Sequence, residues 1–263
     1  MATQAGEVAD RSEEGLAFGR LETVWPWGDP DCGCHCVATS FGRTGDVGEP
    51  HDIPLPPALL GAVPRRRAEY IAGRRCARAA LRRSTGIDSI PGMGRDRAPL
   101  WPRGIVGSIS HSGDRAIAIT GRAQQFAGLG IDLEKLLDIE TAGEIAGHVL
   151  TADERKRSGP APDPFAVTLA FSAKESLFKA LYPQIGCMFY CDAAELVAWD
   201  SGGHGLLALT TDLSPGWRQG ARISFRFCHY GGQVLTRVSI PSRAADQTGR
   251  PGASWPVRST YSL

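Results

Sequence analysis

The sequence predicts an α+β protein made of two pseudo-symmetric halves packed together. Helix-forming stretches followed by strand patterns occur twice along the chain, and antiparallel strand candidates fill most of what lies after the second helical stretch. No residue-level repeat accompanies this pattern. The expected units are a flexible N-terminal segment over 1–20, an N-terminal half over 21–123, a C-terminal half over 124–242 and a flexible tail over 243–263.

The first segment is polar, and the tail carries the Gly, Pro, Ser and Arg content of a loose end. PRRRAEYIAGRRCARAALRRS reads as a helix, with Pro64 suited to a first turn, Ala and Arg filling the interior, and Ser84, Thr85 and Gly86 ending it. After a loop rich in Gly, Pro and Arg, GIVGSISHS and RAIAITG have the alternation and bounding glycines of strands, and FAGLGIDLE reads as a third. TAGEIAGHVLTADERKR and DPFAVTLAFSAKESLFKALY read as two helices separated by SGPAPDP. The stretches around AAELVAWD, HGLLALTT and ARISFRFCHYGGQVLTRVSI supply the remaining strands.

With 263 residues, 42% hydrophobic and 22% charged content, and a formal charge of +1, the composition excludes fibrous, disordered and membrane-spanning classes. Bulk charge implies no polyanionic partner, although Arg65, Arg66, Arg67, Arg74, Arg75, Arg78, Arg82 and Arg83 crowd one stretch. The N-terminus lacks the basic and apolar regions of a secretory signal, and no apolar run of about 18 residues occurs, so a cytoplasmic protein is expected. Seven cysteines, an odd number, favour reduced thiols. Cys32, Cys34, His35 and Cys36 lack the C-x2-C spacing of a zinc site and are expected to be packing or loop residues.

Asp132 and Glu134 stand two apart, so on a strand both leave the same face and can converge on one cation. Glu175, on a helix, would complete an oxygen-rich, incompletely protein-filled shell of the kind Mg2+ prefers. The ordinary alternative is a solvated strand edge and an i,i+4 helix pair between Glu175 and Lys179. On a helical wheel Arg67, Arg74 and Arg78 share a narrow sector, with Arg66 and Arg75 beside it, so one surface could meet phosphates; the alternative is a solvated charged face. His111 after Ser110 is by itself an ordinary strand-end histidine.

The order RRRAEYIAGRRCARAAL, RAPLWPRGIVGSISHS, GLGIDLE and FSAKESLFKALYP strongly resembles the Sfp-type 4'-phosphopantetheinyl transferases, especially the branch around enterobactin synthase component D. The match runs from about Arg65 to Pro183. The resemblance implies that Asp132, Glu134 and Glu175 bind Mg2+, with Mn2+ as a substitute, and that Glu175 helps deprotonate an incoming serine. It implies that Lys174 and Lys179 contact the phosphates of the substrate coenzyme A and stabilise the leaving group. It also implies that Arg66, Arg74, Ser110 and His111 hold the coenzyme, His111 near its 3'-phosphate. Where some relatives have a Lys, this chain has Met93, so that phosphate contact is either missing or supplied by Arg95 or Arg97; Leu133 between the acids leaves a place for water.

The implied reaction moves the phosphopantetheine arm onto a serine of an apo acyl or peptidyl carrier, releasing adenosine 3',5'-bisphosphate. Carrier docking is expected between Thr141 and Phe165, and the enzyme is expected to act as a monomer with no nucleic acid or stable membrane association. Two other readings stay open: a binding module that has lost chemistry, and another magnesium-dependent phosphoryl or nucleotidyl transferase. The absence of a Walker-type glycine loop weighs against the latter.

Overall fold

The computed structural model describes residues 16–29, 33–43 and 52–242; the expectations for Cys32 and for the tail over 243–263 lie outside the described residues. At the other end the expected loose segment ends sooner than residue 20. Strand β1 (Leu16–Phe18) already belongs to a sheet, and Phe18 is buried.

The first half continues with β2 (Glu22–Thr23) and β3 (His35–Arg43), then helix α1 (Pro64–Thr85), a small hairpin of β4 (Gly92–Met93) and β5 (Pro99–Leu100), and the hairpin β6 (Ile105–Ser112) and β7 (Arg115–Arg122). Its antiparallel sheet has the order β1-β3-β7-β6, with β2 on the edge of β3. The second half holds β8 (Phe126–Lys135), helices α2 (Ile139–Val149), α3 (Ala152–Ser158) and α4 (Pro164–Ile185), then β9 (Ala194–Trp199), β10 (His204–Leu209), β11 (Arg222–Tyr230) and β12 (Gln233–Pro241). Its sheet has the order β8-β12-β11-β10-β9, again antiparallel. The architecture is α+β, as the sequence predicts.

Each half lays one long helix on its sheet. Both helices begin with a proline in the first turn, run 22 residues and stop at a left-handed glycine, Gly86 or Gly186. Ala68, Ile71, Ala72, Ala79 and Ala80 of α1 bury against β3 and β7. α4 buries Leu169, Ala173, Leu177 and Leu181 against the second sheet. A third core, containing Cys34, Cys36, Ile117, Ile119, Leu129, Ile131, Leu133 and Leu235, joins the two halves. The cysteines at 34 and 36 are thus packing residues. Among the described residues no helix is long and apolar enough to cross a membrane.

One expectation is corrected, and one strand was missed. TAGEIAGHVLTADERKR is not one helix: Leu150 turns extended, and Thr151 opens α3 with a capping box in which its hydroxyl accepts from the Glu154 N–H while Glu154 accepts from the Thr151 N–H. A local alternative that satisfies both N–H groups outcompetes continuing the helix. Strand β3 was not anticipated, because Val37 buries toward α1 while Cys36 and Ala38 bury toward the other half. A strand covered on both faces has no polar-apolar alternation to reveal it.

Candidate active site

The position of α4 against β8 decides what the acidic strand can do. Along β8 the residues alternate faces, so Leu129, Ile131 and Leu133 enter the joint core while Gly128, Gly130, Asp132 and Glu134 face α4. A β-carbon at Gly130 would lie 1.8 Å from the Ser176 carbonyl oxygen, and one at Gly128 would lie 2.1 Å from that of Ala180. Only glycine lets the helix come this close. Ser172 and Ser176, one turn apart on α4, both bond the Thr236 hydroxyl, at 2.8 and 2.7 Å, and Thr236 is the cross-strand partner of Asp132. The helix is therefore held with Glu175 and Lys179 beside the acidic end of β8.

There the Lys179 ammonium donates to Asp132 Oδ1 at 2.6 Å and to Ser110 Oγ at 3.2 Å. Ser110 in turn donates to Asp132 Oδ1 at 3.0 Å and accepts from the Leu133 N–H at 3.2 Å. The other oxygen, Asp132 Oδ2, is buried and has no hydrogen-bond partner among the described residues. Burial, then the charge of Asp132, push the Glu134 carboxyl up to about 8, with Glu175 adding to the repulsion and Lys179 opposing it. Glu175 is raised by burial and by Asp132, against the pull of Lys179. Asp132, Glu134 and Glu175 thus share one electrostatic neighbourhood.

These groups fit a hard cation in donor type and in charge: three carboxylates repel one another, and one buried oxygen lacks a partner. Among the described residues, though, no three His, Cys, Asp or Glu side chains already form a closed ligand set. Asp132 Oδ1 is committed to Lys179 and Ser110 instead.

The first half contributes its own charged groups across the seam. His111, at the end of β6, lies 3.2 Å from Arg66 Nη1 through Nε2. Burial lowers its pKa most; Glu69 opposes this, while Arg66 and Lys179 lower it further and Asp132 raises it. His111 is therefore close enough to feel both Lys179 and Asp132. Glu69, absent from the expected set, pairs with Arg65 and Arg66 at 3.2 Å each. Its signal was the Glu of R-R-x-E-Y.

Other expected members are not brought to this group. Lys174, neighbour of Glu175 in sequence, leaves the opposite side of α4; its buried ammonium donates to Glu154 Oε2 at 2.6 Å and to the Val149 carbonyl at 2.7 Å. Glu154 also accepts from the Leu196 N–H at 2.6 Å, so this pair ties α3, α4 and β9 together. The T-x-x-E of its capping box was the sequence signal. Arg74 is buried, donates to the Gly92 carbonyl at 3.1 Å and stacks on Tyr70 with 4.7 Å to the ring centre. The expected arginine surface is likewise corrected: Arg67, Arg74 and Arg75 are buried, and Arg78 is forked between Asp52, at 2.6 Å, and Asp88. An Ala-rich helix face narrow enough to pack closely carries neighbouring arginine stems inward with it.

Comparison with known proteins agrees with this layout. Residues 56–121 match the family model of the 4'-phosphopantetheinyl transferase N-terminal domain, and residues 128–228 match that of the 4'-phosphopantetheinyl transferase superfamily. Enterobactin synthase component D of Salmonella typhimurium is 43% identical over 140 residues, covering 51% of this chain and 58% of the relative. The protein of the same name from Salmonella austin is 40% identical over 210 residues, covering 77% of this chain and 85% of the relative. The 4'-phosphopantetheinyl transferase Svp of Streptomyces mobaraensis is 37% identical over 188 residues, covering 70% and 76%. The boundary between the two matched models falls between β7 and β8, where the two sheets divide, and with similarity sustained over most of two relatives the chain belongs to the 4'-phosphopantetheinyl transferase superfamily.

Proposed function

We propose that this protein transfers the 4'-phosphopantetheine arm of coenzyme A onto a serine of an apo acyl or peptidyl carrier protein, in a Mg2+-dependent reaction that releases adenosine 3',5'-bisphosphate. The observation that carries this reading is the seam at which Lys179, Asp132, Glu134 and Glu175 from one half meet Ser110, His111 and Arg66 from the other. A strip of carboxylates next to a strip of cations suits a substrate bearing a diphosphate and a separate phosphate.

In this reading Asp132, Glu134 and Glu175 would hold the ion, which would supply positive charge to offset that of the diphosphate. Lys179 gives its ammonium to the oxygen that gains charge as the bond between the β-phosphorus and the bridging oxygen breaks. The carrier serine oxygen forms the new bond to that phosphorus, and its proton passes to the Glu175 carboxylate. Arg66, His111 and Ser110 orient the coenzyme, His111 and Arg66 at the 3'-phosphate. Arg74 and Lys174 enter from behind: Arg74 stiffens the hairpin through Gly92, and Lys174 anchors α4 through Glu154. Arg95 or Arg97, in the loop of that hairpin, answers for the contact that Met93 lacks.

Both sides of the seam come from one chain, which supports action as a monomer, and a substrate pair of coenzyme A and carrier supports a cytoplasmic setting. Carrier docking over Thr141–Phe165 would combine the exposed Leu136 and Ile139 at its edge with Arg155 and Lys156 of α3. The test is incubation with coenzyme A, Mg2+ and a panel of apo-carriers, read by intact mass. The wild-type chain is expected to add one phosphopantetheine arm, and Asp132→Asn and Glu175→Gln to add none while keeping their circular dichroism. Full transfer by either variant would refute the assignment.

A further inference from the structure

Glu69 is a carboxylate with a demanding position. It lies on the first turns of α1 with its side chain 14% exposed, and it serves three neighbours with two oxygens. Oε1 pairs with Arg65 Nε at 3.2 Å, and Oε2 pairs with Arg66 Nη1 at 3.2 Å while lying 3.9 Å from His111 Nδ1. Arg66 Nη1 is shared between Glu69 Oε2 and His111 Nε2, the latter at 3.2 Å. Arg65 also donates to the Gly113 carbonyl at 3.4 Å, in the turn that follows His111.

The chemistry of these donors settles the histidine's tautomer. A guanidinium has no acceptor, so His111 Nε2 can meet Arg66 only through its lone pair, and the ring proton then sits on Nδ1, on the side of Glu69. Glu69 is thus the one acid of α1 that orients Arg66 and faces the proton of His111. The other charges facing that ring are Arg66 on α1, Lys179 on α4 and Asp132 on β8. Without the Glu69 charge the ring would sit among Arg66 and Lys179 with only Asp132 to balance them.

We propose that Glu69 is a positioning residue that presets Arg66 and His111 as a paired receptor for the 3'-phosphate of coenzyme A, and so sets the preference for coenzyme A over its dephosphorylated form. The inference rests on the functional reading above for the identity of the ligand. Three cationic or ionisable side chains converge on one carboxylate, and an arriving phosphate dianion can take over Arg66 and His111 from it without either side chain having to be gathered from solvent. The arginine partners are themselves 69% and 44% exposed, and helix pairs to such side chains contribute little to stability, so the arrangement is better explained by what it prepares than by what it holds together.

The test compares coenzyme A with dephospho-coenzyme A, by calorimetric binding to the full chain and by transfer kinetics. The wild-type chain is expected to bind coenzyme A at least about tenfold more tightly than the dephospho form, one well-made charged contact. Glu69→Gln is expected to lose most of that ratio by weakening coenzyme A alone, raising its KM about tenfold with kcat within about twofold. Glu69→Asp should recover part of the ratio, because it restores the charge. Equal weakening of both ligands, which a merely structural role would give, overturns the proposal, as does a wild-type chain that does not distinguish them. If the binding ratio behaves as expected but no carrier is modified, the transferase reading fails and the role of Glu69 stands.

Discussion

A carboxyl group such as Glu134, held near neutrality by burial and by Asp132, makes the ligand-free site sensitive to pH in a definite direction. Its folded value of about 8 lies above the ordinary 4.5, so between those values the folded chain keeps a proton that the unfolded chain gives up. Stability then falls as pH rises across this window. Thermal melts in EDTA are expected to show a lower Tm at about pH 8 than at about pH 6, with Mg2+ restoring most at the higher pH and Glu134→Gln flattening the dependence. An unchanged slope in that variant would place the sensitivity elsewhere. Lys179→Met removes the partner of a buried carboxylate and, under the proposed function, the cation next to the diphosphate. Its kcat is expected to drop about 100-fold or more, the scale for one well-placed electrostatic donor, measured at saturating coenzyme A.

Among the elements, α4 carries the most information, since its distance from β8 places Glu175 and Lys179. Gly130→Ala puts a methyl group into the Ser176 carbonyl, so helix or strand has to move. A loss of about 1–3 kcal/mol in urea unfolding is expected, with a larger proportional loss of activity, because under the proposed function Glu175 and Lys179 must keep their places and they shift with the helix. The other anchor is the Lys174–Glu154 pair, with side chains only 2% and 4% exposed. Lys174→Met leaves Glu154 charged and buried among the ends of α3 and β9, a change expected to destabilise by about 3–5 kcal/mol. Adding Glu154→Gln should recover part of that loss, since no unpaired charge is left. A Lys174→Met protein of unchanged stability but no activity would return Lys174 to direct contact with substrate.

At the scale of the molecule the two halves are joined through β6 and β8 by side chains as well as by the third core. Ser108 Oγ accepts from the Ile131 N–H at 3.1 Å, and Ser110 Oγ accepts from the Leu133 N–H, so alternate serines of one strand pair with alternate amides of the other. Ser110 also reaches Asp132, which makes the junction and the site one structure. Ser108→Ala orphans a buried amide and is expected to lower stability by about 1–3 kcal/mol. Because the joint core spans both sheets, calorimetry should still show one cooperative transition; two separate transitions would mean that the halves unfold independently.

The long helices, the strands β6 to β8, the acidic pair Asp132 and Glu134 and the neighbourhood of Glu175 with Lys179 were legible in the chain, because period, caps and the spacing of like residues are local properties. Glu69 and Glu154 stood in plain motifs, yet nothing local says which partner a carboxylate will meet. The direction of Lys174 was decided by the roll of α4, which Gly128, Gly130 and Thr236 set from other strands. The burial of Arg67, Arg74 and Arg75 was decided by how closely an alanine-rich helix lies on its sheet. Sequence determined which elements form and which chemistry they carry; tertiary structure alone decided which charges face each other, since burial and charge pairing depend on distances between segments that the chain order does not contain.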